Sequence, residues 1–297
     1  MSLYKLSDNI TLIDAPINGV KGALGTYLVS GAKTAVIDPG PTSQAEGVIS
    51  RLGKLGLKNL DWVLATHIHL DHAGGSWLLL KEYPESILHC HPKGAAHMVD
   101  PSKLREGAER LFGDRILEYG AIKGVPKNRV QVSRDLEIID LDGASLEVHW
   151  TPGHSSHSQC YFEPDSRTVF VGDAVGHTMG DGGPVIPVSP PPHNPLQALE
   201  SIDLIRSLRP EILCVAHFGA HKEPGIYFDR ISSRTRLWMR LAERIVDEGM
   251  RLDDLVALTM KEDQELADHI KGVEGADHSL KASLLGFYLY AKWVKNG

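Results

Sequence analysis

Alternating and continuous apolar stretches dominate the first part of the chain. Residues 10–15, 25–29 and 34–38 alternate apolar and polar side chains, as half-buried β-strands do. Residues 44–57 place apolar side chains at helical spacing and end near a glycine, which predicts a helix. The continuous apolar run at 62–65 then predicts a buried strand. This alternation of strands and helices predicts a layered fold that contains both.

Strand patterns continue through the middle of the chain, at residues 86–91, 130–132, 145–149, 168–173 and 211–217. Asp142 and Gly143 lie between alternating runs and predict a hairpin turn. Residues 176–195 are rich in glycine and proline. Because this segment is too long for a simple connection, we expect it to form a rim or lid of a binding site.

The last part of the chain has a different pattern. Residues 228–248, 252–270 and 280–295 show apolar positions at helical spacing. We therefore expect a catalytic domain at 1–225 and a small all-helical domain at 226–297. The helices would form a dimer contact or a wall of the active site. A run of arginines predicts a solvated helix face rather than an anion site: Arg230, Arg234, Arg236, Arg240 and Arg244.

Composition narrows the class of protein. The chain has 297 residues, of which 42% are hydrophobic, and a net charge of −7. This negative charge argues against nucleic acid as the main partner, because phosphate contacts need a basic surface. Three cysteines do not make a disulfide framework and fit a reducing compartment. With no long apolar segment, we expect a cytoplasmic protein without a membrane partner.

The densest chemistry follows the strand at 62–65. Its motif is His-x-His-x-Asp-His, formed by His67, His69, Asp71 and His72. Imidazole nitrogens and carboxylate oxygens are good ligands for zinc and similar divalent ions. His67 and His69 are two residues apart and would grip one ion together on an extended backbone. Asp71 and His72 lie where the chain turns into a helix, and they suit a second ion.

Further candidate ligands stand at the ends of other strands: Asp38, His154, Asp173 and His217. Each alone is more often a turn aspartate or a capping histidine than a ligand. Together they repeat one arrangement, an apolar strand followed by a ligand-type residue and a small residue. We therefore expect several strands to converge on one catalytic edge. His89 and His91 alternate on one strand face, and we expect structural or rim roles for them.

This ordered set of motifs resembles the metallo-β-lactamase superfamily over about residues 5–225. The resemblance implies class α+β, with an αββα sandwich and a C-terminal helical appendage. It implies that one metal ion binds His67, His69 and His154. It implies that a second ion binds Asp71, His72 and His217, with Asp173 bridging the two. Asp38 matches the supporting carboxylate of the family, and Asp71 would also accept or pass a proton.

The resemblance implies an enzyme with two divalent metal ions, zinc first, with iron or manganese as alternatives. A hydroxide that bridges the ions would attack a small thioester, ester or lactone. Glyoxalase II-like and small cytoplasmic hydrolases fit best, because they share a compact core and a helical C-terminal segment. Two alternatives stay open. One is a mononuclear iron persulfide dioxygenase, and the other is a nucleic-acid phosphodiesterase.

Overall fold

The structure, a computed structural model, describes residues 3–180, 182–271 and 276–296. The chain forms two compact units. The first contains residues 1–150, 157–172 and 208–222. The second contains residues 151–156, 173–207 and 223–297. The expected division into domains at residues 225 and 226 concerns independent folding and stays a prediction.

The described residues form two large β-sheets and one small hairpin. The strands are β1 (Leu3–Lys5), β2 (Ile10–Asp14), β3 (Gly25–Ser30), β4 (Thr34–Ile37), β5 (Trp62–Leu64), β6 (Ile87–Cys90), β7 (Val130–Val132), β8 (Ile138–Asp140), β9 (Ser145–Trp150), β10 (Gln159–Glu163), β11 (Thr168–Phe170), β12 (His177–Thr178), β13 (Val185–Ile186), β14 (Ile212–Cys214) and β15 (Ala220–His221). Strands β1 to β7 form the first sheet in sequence order. The second sheet has the order β15-β14-β11-β10-β9-β8, and β12 pairs with β13.

Helices connect these strands and make up most of the C-terminal region. They are α1 (Thr42–Lys54), α2 (Leu70–Ala73), α3 (Ser76–Glu82), α4 (Pro92–Val99), α5 (Ser102–Phe112), α6 (Pro195–Ser207), α7 (Pro224–Asp247), α8 (Leu252–Glu262), α9 (Gln264–Ile270) and α10 (Ala276–Asn296). Short 3-10 helices lie at Gly113–Tyr119 and Lys127–Arg129. Among the described helices, none has the length and apolar character needed to cross a membrane.

Strand direction in the first sheet determines where its loops lie. Strands β1 to β4 run antiparallel to their neighbours, whereas β4, β5, β6 and β7 are parallel. Parallel neighbours need crossover connections, and α1 and α3 lie in those between β4, β5 and β6. The carboxyl ends of these three strands therefore meet at one edge, where open α/β sheets place their functional loops.

The second sheet repeats this arrangement at one position. Strands β8 to β11 pair antiparallel, but β11 and β14 are parallel, with Phe170 paired to Cys214. The segments that follow these two strands therefore leave the sheet at the same edge. The predicted hairpin between β8 and β9 is confirmed. Its turn has positive φ angles at Asp142 (54°) and Gly143 (111°), as a tight turn of this kind requires.

The two sheets pack face to face through apolar side chains. Tyr27 and Ile37 from the first sheet belong to the same buried cluster as Leu146 and Phe170 from the second. The rings of Tyr27 and Phe170 have centroids 5.2 Å apart. The opposite face of the first sheet packs against α1, α3 and α4 around Val63. Alternate side chains of each strand thus enter different cores, because successive residues of a strand point to opposite faces.

Helices α7 to α10 of the second unit surround a separate core that includes Trp238 and Phe287. Arg234 differs from its neighbours in the arginine run, because its guanidinium is buried and donates to Asp263 and Glu265. The other arginines of that run lie on the exposed face. The helix expected at 252–270 is divided at Asp263, whose carboxylate accepts from the Leu266 N–H and begins α9.

Candidate metal centre

Residues 66–73, here called the metal loop, follow β5 at the carboxyl edge of the first sheet. His67 and His69 lie in the irregular part of the loop, and their ring centroids are 4.7 Å apart. Asp71 and His72 lie in the short helix α2. His67 and His72 are buried, whereas His69 and Asp71 are partly exposed. The loop therefore presents one buried side and one side that solvent can reach.

His217 joins the metal loop from the second sheet, three residues after the end of β14. Its Nε2 atom lies 3.8 Å from Oδ2 of Asp71, and the same oxygen lies 3.6 Å from Nε2 of His72. Asp71, His72 and His217 each offer a donor atom, and these three atoms lie within 4.8 Å of one another. A cluster of two imidazoles and one carboxylate at this spacing fits a divalent cation.

The turn that carries His217 is tightly constrained. Phe218 has a φ of 63°, an uncommon conformation for a bulky residue, and Gly219 has a φ of 131°. The hydroxyl oxygen of Tyr27 lies 2.6 Å from the Val215 carbonyl oxygen and 2.8 Å from that of Gly219. A buried tyrosine thus holds both sides of the turn. Backbone strain fixed by surrounding contacts is typical of functional loops.

Asp38 supports the metal loop from the neighbouring strand end. Its backbone has a φ of 48°, which aspartate tolerates better than most residues. Its Oδ1 accepts from the Thr66 backbone N–H at 2.8 Å, and its Oδ2 accepts from the Thr66 hydroxyl at 2.7 Å. The same Oδ2 lies 3.1 Å from Nδ1 of His72. This carboxylate therefore orients loop residues, as outer carboxylates of metal sites do.

Thr66 extends that support to His67, a role that the sequence did not reveal. Its hydroxyl proton is used on Asp38, so its oxygen is an acceptor for Nδ1–H of His67, 3.2 Å away. Nδ1 of His72 likewise donates to Asp38. Both imidazoles therefore carry their proton on Nδ1, which leaves the Nε2 lone pair for a cation. The signal was a hydroxyl residue directly before the first histidine.

His154 and Asp173 lie in the second unit, where they are brought together. Nε2 of His154 is 3.7 Å from Oδ2 of Asp173, and both side chains are buried. Nδ1 of His154 lies 2.7 Å from the carbonyl oxygen of Val188. Since a carbonyl only accepts, Nδ1 carries the proton and Nε2 carries the lone pair. This is the same tautomer that Asp38 and Thr66 select in the metal loop.

Comparison with known proteins decides the family. A sequence model of the metallo-β-lactamase superfamily matches residues 24–217, more than half of the chain. The chain belongs to the metallo-β-lactamase superfamily. Three predictions are thereby confirmed, namely the family, the α+β class with the metallo-β-lactamase fold and C-terminal helices, and an enzyme of the metal-dependent hydrolase class.

Individual relatives of this metallo-β-lactamase superfamily member cover different parts of it. A metallo-β-lactamase fold-containing protein of Sulfurisphaera tokodaii is 30% identical over 65% of this chain and 72% of its own length. A hydroxyacylglutathione hydrolase of Haemophilus influenzae is 30% identical over 48% of this chain and 60% of its own length. A metallo-β-lactamase family protein from Thermus thermophilus aligns in structure with a TM-score of 0.72. That alignment covers 98% of this chain and 95% of the other chain, and at 18% identity it concerns the fold alone.

Gln159 is a second residue of this superfamily member that sequence reasoning missed. Its backbone N–H donates to the Thr66 carbonyl oxygen at 2.8 Å, and its Nε2 donates to the Ala65 carbonyl oxygen at 3.0 Å. Nε2 also donates to the Tyr161 hydroxyl, and Oε1 accepts from Ser133, both at 2.6 Å. Gln159 therefore fixes the backbone just before His67 to the second sheet. Only a polar residue at a buried strand position signals this role in the sequence.

His89 and His91 have contacts of the structural kind. Nε2 of His89 lies 2.6 Å from Oε1 of Glu137, and its Nδ1 lies 3.1 Å from the Tyr161 hydroxyl. Burial lowers the pKa of His89, although the hydrogen bond to Glu137 opposes this effect. His91 lies outside β6 and caps α4, where its Nδ1 accepts from the Lys93 backbone N–H. Burial, with the nearby Lys93 charge, lowers its pKa to about 4.

Proposed function

We propose that the protein hydrolyses a small thioester, ester or lactone with two divalent metal ions at the metal loop. The observation that carries this proposal is the cluster of Asp71, His72 and His217, whose donor atoms lie within 4.8 Å of one another. Its position also favours catalysis, because Asp71 and His217 are about a quarter exposed, so a small substrate can reach them. We propose a small molecule rather than nucleic acid as the partner.

The proposed ligand sets divide between the two ions. One ion would bind His67, His69 and His154. The other would bind Asp71, His72 and His217, with Asp173 shared by both ions and Asp38 as the supporting carboxylate. Tautomers support these sets, because Nε2 of His67, His72 and His154 carries the lone pair in each case. Imidazole and carboxylate ligands suit zinc, which we propose as the native metal, with iron or manganese as alternatives.

Two neighbours along the chain support the inclusion of Asp173 and His154. Gly172 directly precedes Asp173, and a Cβ atom on Gly172 would lie only 2.3 Å from Oγ1 of Thr66. His157 follows His154 by three residues, and its ring centroid lies 5.4 Å from that of His69. Both ligand residues are thus joined by short stretches of chain to residues that contact the metal loop.

The chemistry follows from the proposed sets. When bound, two divalent cations would activate water as a nucleophile at neutral pH and polarise the substrate carbonyl oxygen. Asp71 is the group that we propose to accept or pass a proton, because its carboxylate is partly exposed and lies between His72 and His217. A thioester is the first candidate substrate, since the relative from Haemophilus influenzae is a hydrolase of an acylated thiol.

Metal analysis combined with a panel of thioester, ester, lactone and phosphodiester substrates tests this proposal. We expect about two zinc ions per chain and hydrolysis that a chelator abolishes. His69→Ala should lower activity by more than about a hundredfold while the chain stays folded. His97→Ala, in α4, is the matched control and should be active.

Three results would count against the proposal. Full activity of His69→Ala would refute the ligand assignment. One iron per chain with oxygen consumption would favour the dioxygenase. Salt-sensitive binding of RNA or DNA with phosphodiester cleavage would favour the nuclease.

A further inference from the structure

The carbonyl group that holds His154 belongs to residues 187–194, here called the proline-rich segment. Nδ1 of His154 donates to the Val188 carbonyl oxygen at 2.7 Å. At the other end of the segment, the Asn194 N–H donates to the Gly153 carbonyl oxygen at 3.0 Å. The proline-rich segment therefore contacts both the imidazole of His154 and the backbone directly before it.

Helix α10 packs against the same segment at three points. The Ser189 hydroxyl donates to the Ser283 carbonyl oxygen at 2.6 Å. The rings of His193 and Phe287 have centroids 4.9 Å apart, and both side chains are buried. Gly286 lies directly against the backbone of Ser189. One turn of α10 thus supports the whole length of the segment.

The contact at Gly286 leaves no free space. A Cβ atom on this residue would lie 2.0 Å from the Ser189 carbonyl oxygen and 2.9 Å from Cβ of His193. Because protein interiors are close-packed, a methyl group there would displace the segment by on the order of 1 Å. The Val188 carbonyl is in the peptide group that joins Val188 to Ser189, so it would move with the displaced backbone.

We propose that α10 positions His154 for metal binding through the proline-rich segment. Gly286 and Ser189 are the positioning residues, and the Val188 carbonyl is the group that transmits their effect to the imidazole. Carbonyl and carboxylate partners of ligand histidines fix both the tautomer and the ring orientation. This inference rests on the proposed function, because it requires His154 to be a metal ligand. It gives the C-terminal helices a role in building the site itself.

The test compares zinc affinity in the full-length protein and its variants by competition with a chromophoric chelator. Gly286→Ala displaces the segment, whereas Ser189→Ala removes its hydrogen bond to α10 without adding bulk. We expect each to weaken binding of the more sensitive zinc ion by about tenfold. The absorption spectrum of the cobalt-substituted protein should change as well. Gly225→Ala in α7 is the control, because a Cβ atom there meets nothing within 4 Å.

A purely structural role for these contacts predicts a different result. Both variants would then unfold at lower urea concentration but retain wild-type zinc affinity and cobalt spectrum, and this outcome would overturn the proposal. If Gly286→Ala does not fold, Ser189→Ala alone decides between the two. His154→Ala separates the two levels of inference. Weakened zinc binding in His154→Ala with wild-type binding in Ser189→Ala would refute only the positioning role. Unchanged binding in His154→Ala would refute the ligand assignment itself.

Discussion

Oδ2 of Asp38 lies 3.1 Å from Nδ1 of His72, and both residues are buried. The same oxygen accepts the Thr66 hydroxyl, whose oxygen in turn is the acceptor for Nδ1–H of His67. One carboxylate oxygen thus sets the tautomer of two histidines in the metal loop. The arrangement requires Asp38 to be an acceptor at both contacts, so an amide in its place presents a donor to other donors.

Asp38→Asn should therefore weaken metal binding without unfolding the chain. The amide nitrogen, placed at the Oδ2 position, would face the donors of Thr66 and His72 and disturb the His72 tautomer. We expect zinc affinity to fall by roughly ten- to a hundredfold, the range seen for outer partners of metal ligands. Competition with a chelator measures this change. Asp61→Asn is the control, because Asp61 accepts from the Thr34 backbone N–H at 2.8 Å, remote from the metal loop.

Thr66 offers a test that separates its hydroxyl from its volume. Thr66→Ser keeps the hydrogen bond to Asp38 and the acceptor for His67, whereas Thr66→Val keeps the shape and loses both. We expect zinc affinity near wild type for the serine variant and at least about tenfold weaker for the valine variant. Equal affinities would show that the Thr66 hydroxyl does not orient His67.

The sequence predicted the metal loop well because its chemistry is local. Four ligand-type residues follow one apolar strand, and parallel pairing of β4, β5 and β6 brings their ends to one edge. The hairpin at Asp142 and Gly143 was equally readable, since its turn needs residues that tolerate positive φ. Periodicity and turn chemistry thus give the elements and the class of fold.

Contacts between distant segments were not readable in this way. Gln159 lies 93 positions after Thr66, and no spacing rule connects a buried glutamine to the backbone of another sheet. Arg234 matched its exposed neighbours by charge, yet its partners lie on a later helix. A helix pattern also cannot show a break at Asp263, because the break depends on the ion pair with Arg234. These features arise from tertiary packing, which overrides local propensity.

Gln159→Leu should destabilise the first unit through unsatisfied polar groups. Leucine fills a similar volume but leaves the Ala65 carbonyl and the Ser133 hydroxyl without the glutamine amide. Each buried group that loses its partner costs about 1–3 kcal/mol, so we expect a loss of roughly 2–5 kcal/mol in the free energy of unfolding. Urea denaturation measures it. Gln131→Leu, at an exposed position of β7, should change the free energy by less than about 0.5 kcal/mol.

Asp263 should contribute stability that depends on pH. Burial alone would raise its pKa, but hydrogen bonds from Arg234 outweigh burial and hold the pKa below its ordinary value of 3.8. A carboxyl group with a lowered pKa in the folded state stabilises the fold above the unfolded pKa, and this contribution is lost as the pH falls through the folded value. Asp263→Asn should therefore cost about 3 kcal/mol at pH 7, and the difference from wild type should shrink below about pH 4. Urea denaturation of both proteins between pH 7 and pH 3 measures this trend, with Asp229→Asn as an exposed control paired with Arg206. A difference that stays constant over this range would mean that the pKa of Asp263 is not lowered by folding.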